Sequence, residues 1–411
     1  MALLYSIGIY IAGFVIKLLA LFNSKLKMGV IGRSETFSKL KNALSSNDRT
    51  FWFHCASLGE YEQGLPVFEA LKSKYPNHKV VLSFFSPSGY EVRQNTKIAD
   101  VVVYLPMDTK PNAKNFLDIV NPDYIIFVKY EIWPNFLSEI KKRTSKAILI
   151  SAVFRNSQSF FKWYGGFMTS SLFAFNHIFT QDENSAALLK TTGYSTVSVS
   201  GDTRFDRVLN QLNTNNTISF IEAFKKDKTC VVFGSTWPDD DKLYLNYIND
   251  YSNRESKFII APHNIKSTYI ASLKSQLRVK TISYSEMNDK DLSQYNVFIL
   301  DTIGYLSKVY SYADIAYVGG AAGRTGLHNV LEPAVFGVPI IIGENYDKFP
   351  EAKTLIDLNG IASVSSSMDF ESTINTLITD ITFRKEQGSI NEAFIKENQG
   401  AVIQILDYIR I

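Results

Sequence analysis

Two doubly wound α/β domains in tandem, preceded by an apolar helix, are the fold class this sequence predicts. Short β-rich runs alternate with helix-length segments in two successive series. A chain of 411 residues is also too long for one compact core. Finally, Ile315 to Gly343, IAYVGGAAGRTGLHNVLEPAVFGVPIIIG, has the order strand, glycine loop, helix, strand.

The composition is globular, with 45% apolar and 20% charged residues. A net charge of +3 and the lack of a basic stripe interleaved with aromatics argue against nucleic acid as a partner. Cys55 and Cys230 lie inside apolar strand-like runs, as small buried thiols do, and no zinc-ligand spacing exists.

Leu3 to Phe22 is nearly all apolar, with Lys17 its one charge, and is long enough to reach across a bilayer. It lacks the basic start and small-residue cleavage site of a signal peptide. Lys25, Lys27 and Arg33 follow it, a basic flank that favours a cytoplasmic position for the rest. A helix lying on the membrane surface with Lys17 snorkelling satisfies the same pattern. Either way a membrane is the expected partner.

The first series runs Thr50 to Cys55, Val80 to Phe85, Val101 to Leu105, Tyr124 to Val128, Lys146 to Ile150, His177 to Thr180 and Val197 to Ser200. Such alternation builds a parallel sheet, and its ligands sit beyond the carboxyl ends of the strands. Glu60, in ASLGEYE after the first strand, and Glu131, in KYEIWPN after the fourth, occupy that position. Glu60 suits the first turn of a helix; it also suits a general base, because a sugar hydroxyl must lose its proton as a bond forms. Gly59 before it would let a substrate approach the backbone. Trp133 and Pro134 beside Glu131 would hold that carboxyl partly desolvated, or simply support a helix cap.

GDTRFDRV, Gly201 to Val208, reads as the hinge. Arg204 there could meet a leaving phosphate or pair with Asp202 or Asp206. The second series is Thr229 to Phe233, Lys257 to Ala261, Val297 to Leu300, Ile315 to Val318, Val338 to Ile342 and Ile361 to Val364. Its strand ends carry Ser235 and Thr236, Pro262 and His263, and Asp301 to Gly304. The glycine loop follows, with Gly319, Gly320, Gly323 and Gly326, so that an anion is expected at the loop and helix start. Asn329 and Glu332 would hold ribose hydroxyls. Asp239, Asp240 and Asp241 read as first-turn acidic residues, with no metal inferred. The boundaries expected are 1–24 for the anchor, 25–205 and 206–395 for the two domains, and 396–411 for a last helix crossing back to the first.

Over nearly its whole length the chain resembles the 3-deoxy-D-manno-octulosonic acid (Kdo) transferases of lipopolysaccharide assembly. ASLGE, YEIWPN, GDTRFD, GST, DTIGYL and VGGAAGRTGLHNVLEPAVFGVPIIIG carry the resemblance, in the family's order. The resemblance implies a GT-B arrangement of two Rossmann-like domains facing across a cleft, with no cofactor. It implies a CMP-Kdo donor, a lipid A precursor as acceptor, and the cytoplasmic face of the inner membrane. Glu60 would accept the proton, while Glu131 and Arg204 would stabilise the transition state. Ser235, Thr236, Pro262, His263, Ile303, Gly304, Tyr305, Gly320, Asn329, Val330, Leu331 and Glu332 would contact the donor. The sequence departs from the family pattern at Arg204 (often Lys), His263 (Arg), Tyr305 (Glu), and Trp237 and Pro238 (His-Glu). The alternatives are a GT-B transferase or epimerase acting on a UDP-sugar, and a non-catalytic sugar-nucleotide sensor, which would need neither Glu60 nor Glu131.

Overall fold

The computed structural model describes residues 1–251 and 256–410. They divide into two compact units, the first Met1–Arg207 with Gln399–Ile411, the second Val208–Asn398.

The first unit is built on β1 (Thr50–Cys55), β2 (Lys79–Phe84), β3 (Val101–Tyr104), β4 (Tyr124–Val128), β5 (Lys146–Ala152), β6 (His177–Thr180) and β7 (Val197–Val199). All pair in parallel, in the order β3-β2-β1-β4-β5-β6-β7. The strands are apolar on both faces because helices cover both. Phe51, Phe53, Val80, Leu82, Ile126 and Ile148 point into one core layer, while Trp52, Val81, Ile125, Phe127 and Leu149 point into the other. This is the period of two expected of a strand. The C-terminal helix Ala401–Tyr408 belongs to this unit and adds Ile405 and Ile409 to the first layer.

Helix α1 (Ala2–Leu19) is long and apolar enough to cross a membrane, with a mean hydropathy of 2.0, and none of its residues is buried. At 18 residues it spans roughly 27 Å. The Tyr5 hydroxyl nevertheless donates to buried Asp108 at 2.7 Å, and Gly13 lies beside Met107. Asn23 ends the segment by capping α2 (Ser24–Ala43), accepting from the Lys25 and Leu26 amides. In α2, Gly32 leaves room for the Tyr104 ring, which a Cβ would meet at 2.3 Å.

The second unit contains β8 (Thr229–Thr236), β9 (Ser256–Pro262), β10 (Thr281–Ser283), β11 (Val297–Ile299), β12 (Ile315–Val318), β13 (Ile340–Gly343) and β14 (Ile361–Val364). They form a second all-parallel sheet of seven strands, β10-β11-β9-β8-β12-β13-β14. Strand β10 is not expected from the sequence; three residues at a sheet edge leave almost no periodic signal. Strand β13 begins two residues later than expected, after Pro339, which has no N–H for the ladder.

Candidate active site

Each sheet changes direction at its first strand, and the expected site residues collect there. In the first unit β1 lies between β2 and β4, so the loops bearing Glu60 and Glu131 are neighbours. Ser57 is the N-cap of α3 (Leu58–Lys74), with Glu60 as the third helical residue. Glu60 Oε2 accepts from the Ala56 and Ser57 amides. Both sequence-level alternatives therefore meet in one side chain, which caps a helix and is also only 6% exposed. Burial, reinforced by the charge of Glu131, pushes its carboxyl up to about 7; the Ala56 and Ser57 amides and Lys129 oppose the shift. A Cβ at the preceding residue, exposed Gly59, would meet nothing within 4 Å, so the helix start is open there.

Glu131 is buried, and its Oε2 accepts from Trp133 Nε1 at 2.9 Å. The same oxygen is 3.2 Å from His54 Nε2, a contact that sequence reasoning missed. Its only signal is a histidine inside FWFHC. Lys129 was missed as well: it sits at the end of β4 with φ +70, a geometry with no local sequence signal.

Arg204 pairs with Asp202 through Nε (2.8 Å) and a terminal guanidinium nitrogen (2.7 Å). Asp202 also accepts from Gln63, one turn beyond Glu60, at 3.2 Å. Thr203 donates to the Gln63 carbonyl at 2.5 Å and contacts Ser151 Oγ at 2.9 Å, so the hinge segment is tied to α3. Asp206 instead accepts from the Gly400 and Val402 amides at the start of the C-terminal helix.

In the second unit β8 lies between β9 and β12. A bulge at Ser235, φ +55, shifts the β8–β9 register between Gly234 and Thr236. Thr236 is buried beneath it, with the Tyr244 hydroxyl at 3.4 Å. Pro262 ends β9, while Ile303 is exposed beside Gly304, which has φ +95. Tyr305 packs its ring against Phe220 and Tyr284. Trp237 stacks on His263 at 4.5 Å and donates to His328 Nε2 at 3.1 Å, and the His263 and His328 rings are 4.6 Å apart. Two of the departures from the family pattern thus form one aromatic stack. Burial, with His263 adding to it, lowers His328 to about 4, so its imidazole is neutral at pH 7.

The glycine loop differs from expectation in two ways. The helix after it is a single turn, Leu331–Ala334, preceded by Val330 and closed by Gly337 at φ +66. So short a helix has little dipole to offer an anion. In addition, the loop already holds a carboxylate. Asp240, fully buried, accepts from the amides of Trp237 (2.8 Å), Gly320 (2.9 Å) and Ala322 (3.4 Å) and from the Tyr317 hydroxyl (2.7 Å). Asp241 accepts from Tyr244 and Tyr269, while Asp239 pairs with Lys242 at the surface. Of the acidic run, one residue is an exposed first-turn charge and two are buried structural acceptors. Asn329 accepts from the Leu331 amide and donates to Glu332 at 3.3 Å.

Gly320, at φ +99, would bring a Cβ within 2.0 Å of the Gly326 carbonyl oxygen. Gly320→Ala is expected to destabilise the second unit by on the order of 2–3 kcal/mol in denaturant unfolding. Gly323→Ala should cost less, because its Cβ would meet the side chain of Asp239 (Oδ2 2.4 Å, Cγ 3.1 Å, Cβ 3.2 Å), which can shift, and not a backbone carbonyl. Equal losses in the two variants would contradict this assignment of strain.

Over most of its length the chain is similar to known proteins. Residues 32–207 match a family model described as 3-deoxy-D-manno-octulosonic-acid transferase (kdotransferase). The chain is 26% identical over 395 residues to the 3-deoxy-D-manno-octulosonic acid transferase of Haemophilus influenzae, covering 92% of this chain and 90% of that protein. It is 25% identical over 357 residues to the Aquifex aeolicus transferase of the same name, covering 86% and 91%. Among solved structures, UDP-GlcNAc 2-epimerase from Neisseria meningitidis superposes with a TM-score of 0.61 at 14% identity, covering 87% and 98%. MurG from Acinetobacter baumannii superposes with a TM-score of 0.51 at 11% identity, covering 87% and 99%. At such identities the structures speak for the fold alone.

Two Rossmann-like parallel sheets, each with its polar strand-end loops at the switch point, define a GT-B-type fold. Within that fold, residues 32–207 match the Kdo transferase model, and over most of its length the chain is similar to proteins named Kdo transferases.

Proposed function

We propose that this transferase moves Kdo from CMP-Kdo to a hydroxyl of a lipid A precursor at the cytoplasmic face of the inner membrane, with Glu60 as general base. The observation that carries this reading is the buried Glu60 carboxyl, raised to about 7, one residue after the open helix start at Gly59. A base of that basicity accepts a proton effectively near neutral pH and is substantially ionised there.

In the proposed step the acceptor oxygen bonds to the anomeric carbon of Kdo as its proton passes to Glu60. The bond from that carbon to the phosphate oxygen breaks, and its electron pair leaves with CMP. Arg204 and Glu131 assist, Arg204 opposite the phosphate and Glu131 opposite the electron-poor sugar carbon. Ser235, Thr236, Pro262, His263, Ile303, Gly304, Tyr305, Gly320 and Asn329 to Glu332 bind the donor. Because Asp240 occupies the Gly320 and Ala322 amides, the donor phosphate draws on other groups: the bulged Ser235 region and the residues around Asn329. Helix α1, apolar and exposed, keeps the enzyme at the bilayer where the acceptor's acyl chains lie.

The test is mass spectrometry of a lipid A precursor incubated with detergent-solubilised protein and freshly generated CMP-Kdo. A mass gain of one or more Kdo units is expected, and CMP should inhibit where UDP does not. An intact donor and acceptor with no gain, or inhibition by UDP alone, would overturn the assignment.

A further inference from the structure

Behind Glu131, on the side away from Glu60's helix, lies a buried polar row that the proposed chemistry leaves unused. His54 and Ser83 are register neighbours on β1 and β2, and they and Trp52 are all fully buried. Trp52 Nε1 donates to Ser83 Oγ at 2.7 Å. An indole nitrogen cannot accept, so the Ser83 hydroxyl must send its own proton elsewhere. His54 Nδ1 is 2.9 Å away and the Phe53 carbonyl 3.4 Å, which makes the imidazole the better acceptor.

With Nδ1 accepting, the single proton of a neutral His54 sits on Nε2, 3.2 Å from Glu131 Oε2. The opposite tautomer would let Nδ1 donate to the Ser83 carbonyl at 3.2 Å, but would turn the Nε2 lone pair towards a carboxylate oxygen. Trp133 Nε1 stands beside both groups, 3.0 Å from His54 Nε2 and 2.9 Å from Glu131 Oε2, and with Nε2 protonated only the carboxylate oxygen can accept from it. Its one proton therefore goes to that oxygen. Every donor in the row then has an acceptor, and all of them point one way.

We propose that Trp52, Ser83 and His54 form a directional hydrogen-bond relay that keeps the proton on His54 Nε2, making His54 the positioning residue that holds Glu131 oriented as a carboxylate. This rests on the role given above to Glu131. The arrangement leaves no demand on that side chain unmet: its Oε2 is fixed by two donors, Trp133 Nε1 and His54 Nε2.

The tautomer is read directly by 15N NMR of the detergent-solubilised protein with labelled histidine; the sequence has five histidines, and His54→Gln identifies the signal. Wild-type His54 is expected as the Nε2–H form. Ser83→Ala should shift it to the Nδ1–H form or a mixture, and lower kcat by roughly 10-fold with little change in acceptor KM. His54→Leu should lower kcat by roughly 10- to 100-fold, whereas His54→Gln, whose amide can still donate to Glu131, should recover much of that loss. An Nδ1–H form in the wild type would overturn the relay, and so would full activity in a folded His54→Leu protein. If Glu131→Gln transfers Kdo at the wild-type rate, the role of Glu131 fails, while the tautomer result still decides the relay.

Discussion

Glu60→Gln is expected to lower Kdo transfer by roughly 10²- to 10⁴-fold and, above pH 7, to stabilise the protein. The two effects share a cause. Burial and the charge of Glu131 raise the Glu60 carboxyl to about 7 from an ordinary value of 4.5, so the folded chain holds that proton more tightly than the unfolded chain does. Wild-type stability from this group is therefore present below about pH 4.5 and is lost as pH rises through 7. By pH 8 the loss is on the order of 2–3 kcal/mol. The substituted glutamine cannot ionise, yet its amide oxygen can still accept from Ala56 and Ser57, so the cap survives. Unfolding at pH 5 and pH 8 should give nearly equal stabilities at pH 5 and a more stable variant at pH 8. A variant with the wild-type pH dependence would mean that the Glu60 carboxyl is not raised, and the argument for it as a base near neutral pH would lose its support.

Asp240→Ala is expected to destabilise the second unit by about 3–5 kcal/mol and to abolish binding of CMP. The substitution leaves the Trp237, Gly320 and Ala322 amides and the Tyr317 hydroxyl without their acceptor in a buried setting. These donors belong to the end of β8, the strand β12 and the loop after it, so one carboxylate holds together both sides of the switch point. Asp240→Asn keeps one accepting oxygen but turns an NH2 towards donors, and should fall between the two. Thermal unfolding followed by CMP titration checks both effects. A stable Asp240→Ala protein that still binds CMP would show that the loop keeps its shape without its internal anion.

Much of the fold is legible in short windows of sequence. A buried parallel strand is a run of about five apolar residues, and its identity depends on neighbours two to four positions away. Thr50 to Cys55, Tyr124 to Val128 and Ile315 to Val318 are therefore readable at their observed boundaries. Edge strand β10 and the single-turn helix at Leu331–Ala334 are not: three or four residues carry too little period, and Pro333 and Gly337 disrupt the helical one.

By itself the sequence determined that there are two alternating α/β series, that carboxylates follow the first and fourth strands, and that the motifs are those of Kdo transferases. Only the tertiary structure decided that β1 pairs with β4, which sets Glu60 beside Glu131, and that Asp240 accepts from the Gly320 and Ala322 amides of the glycine loop. It alone placed Trp52, Ser83 and His54 in a row behind Glu131. The reason is physical. Periodicity is a local property of the chain, whereas which donor meets which acceptor is set by strand order and register between segments up to about eighty residues apart.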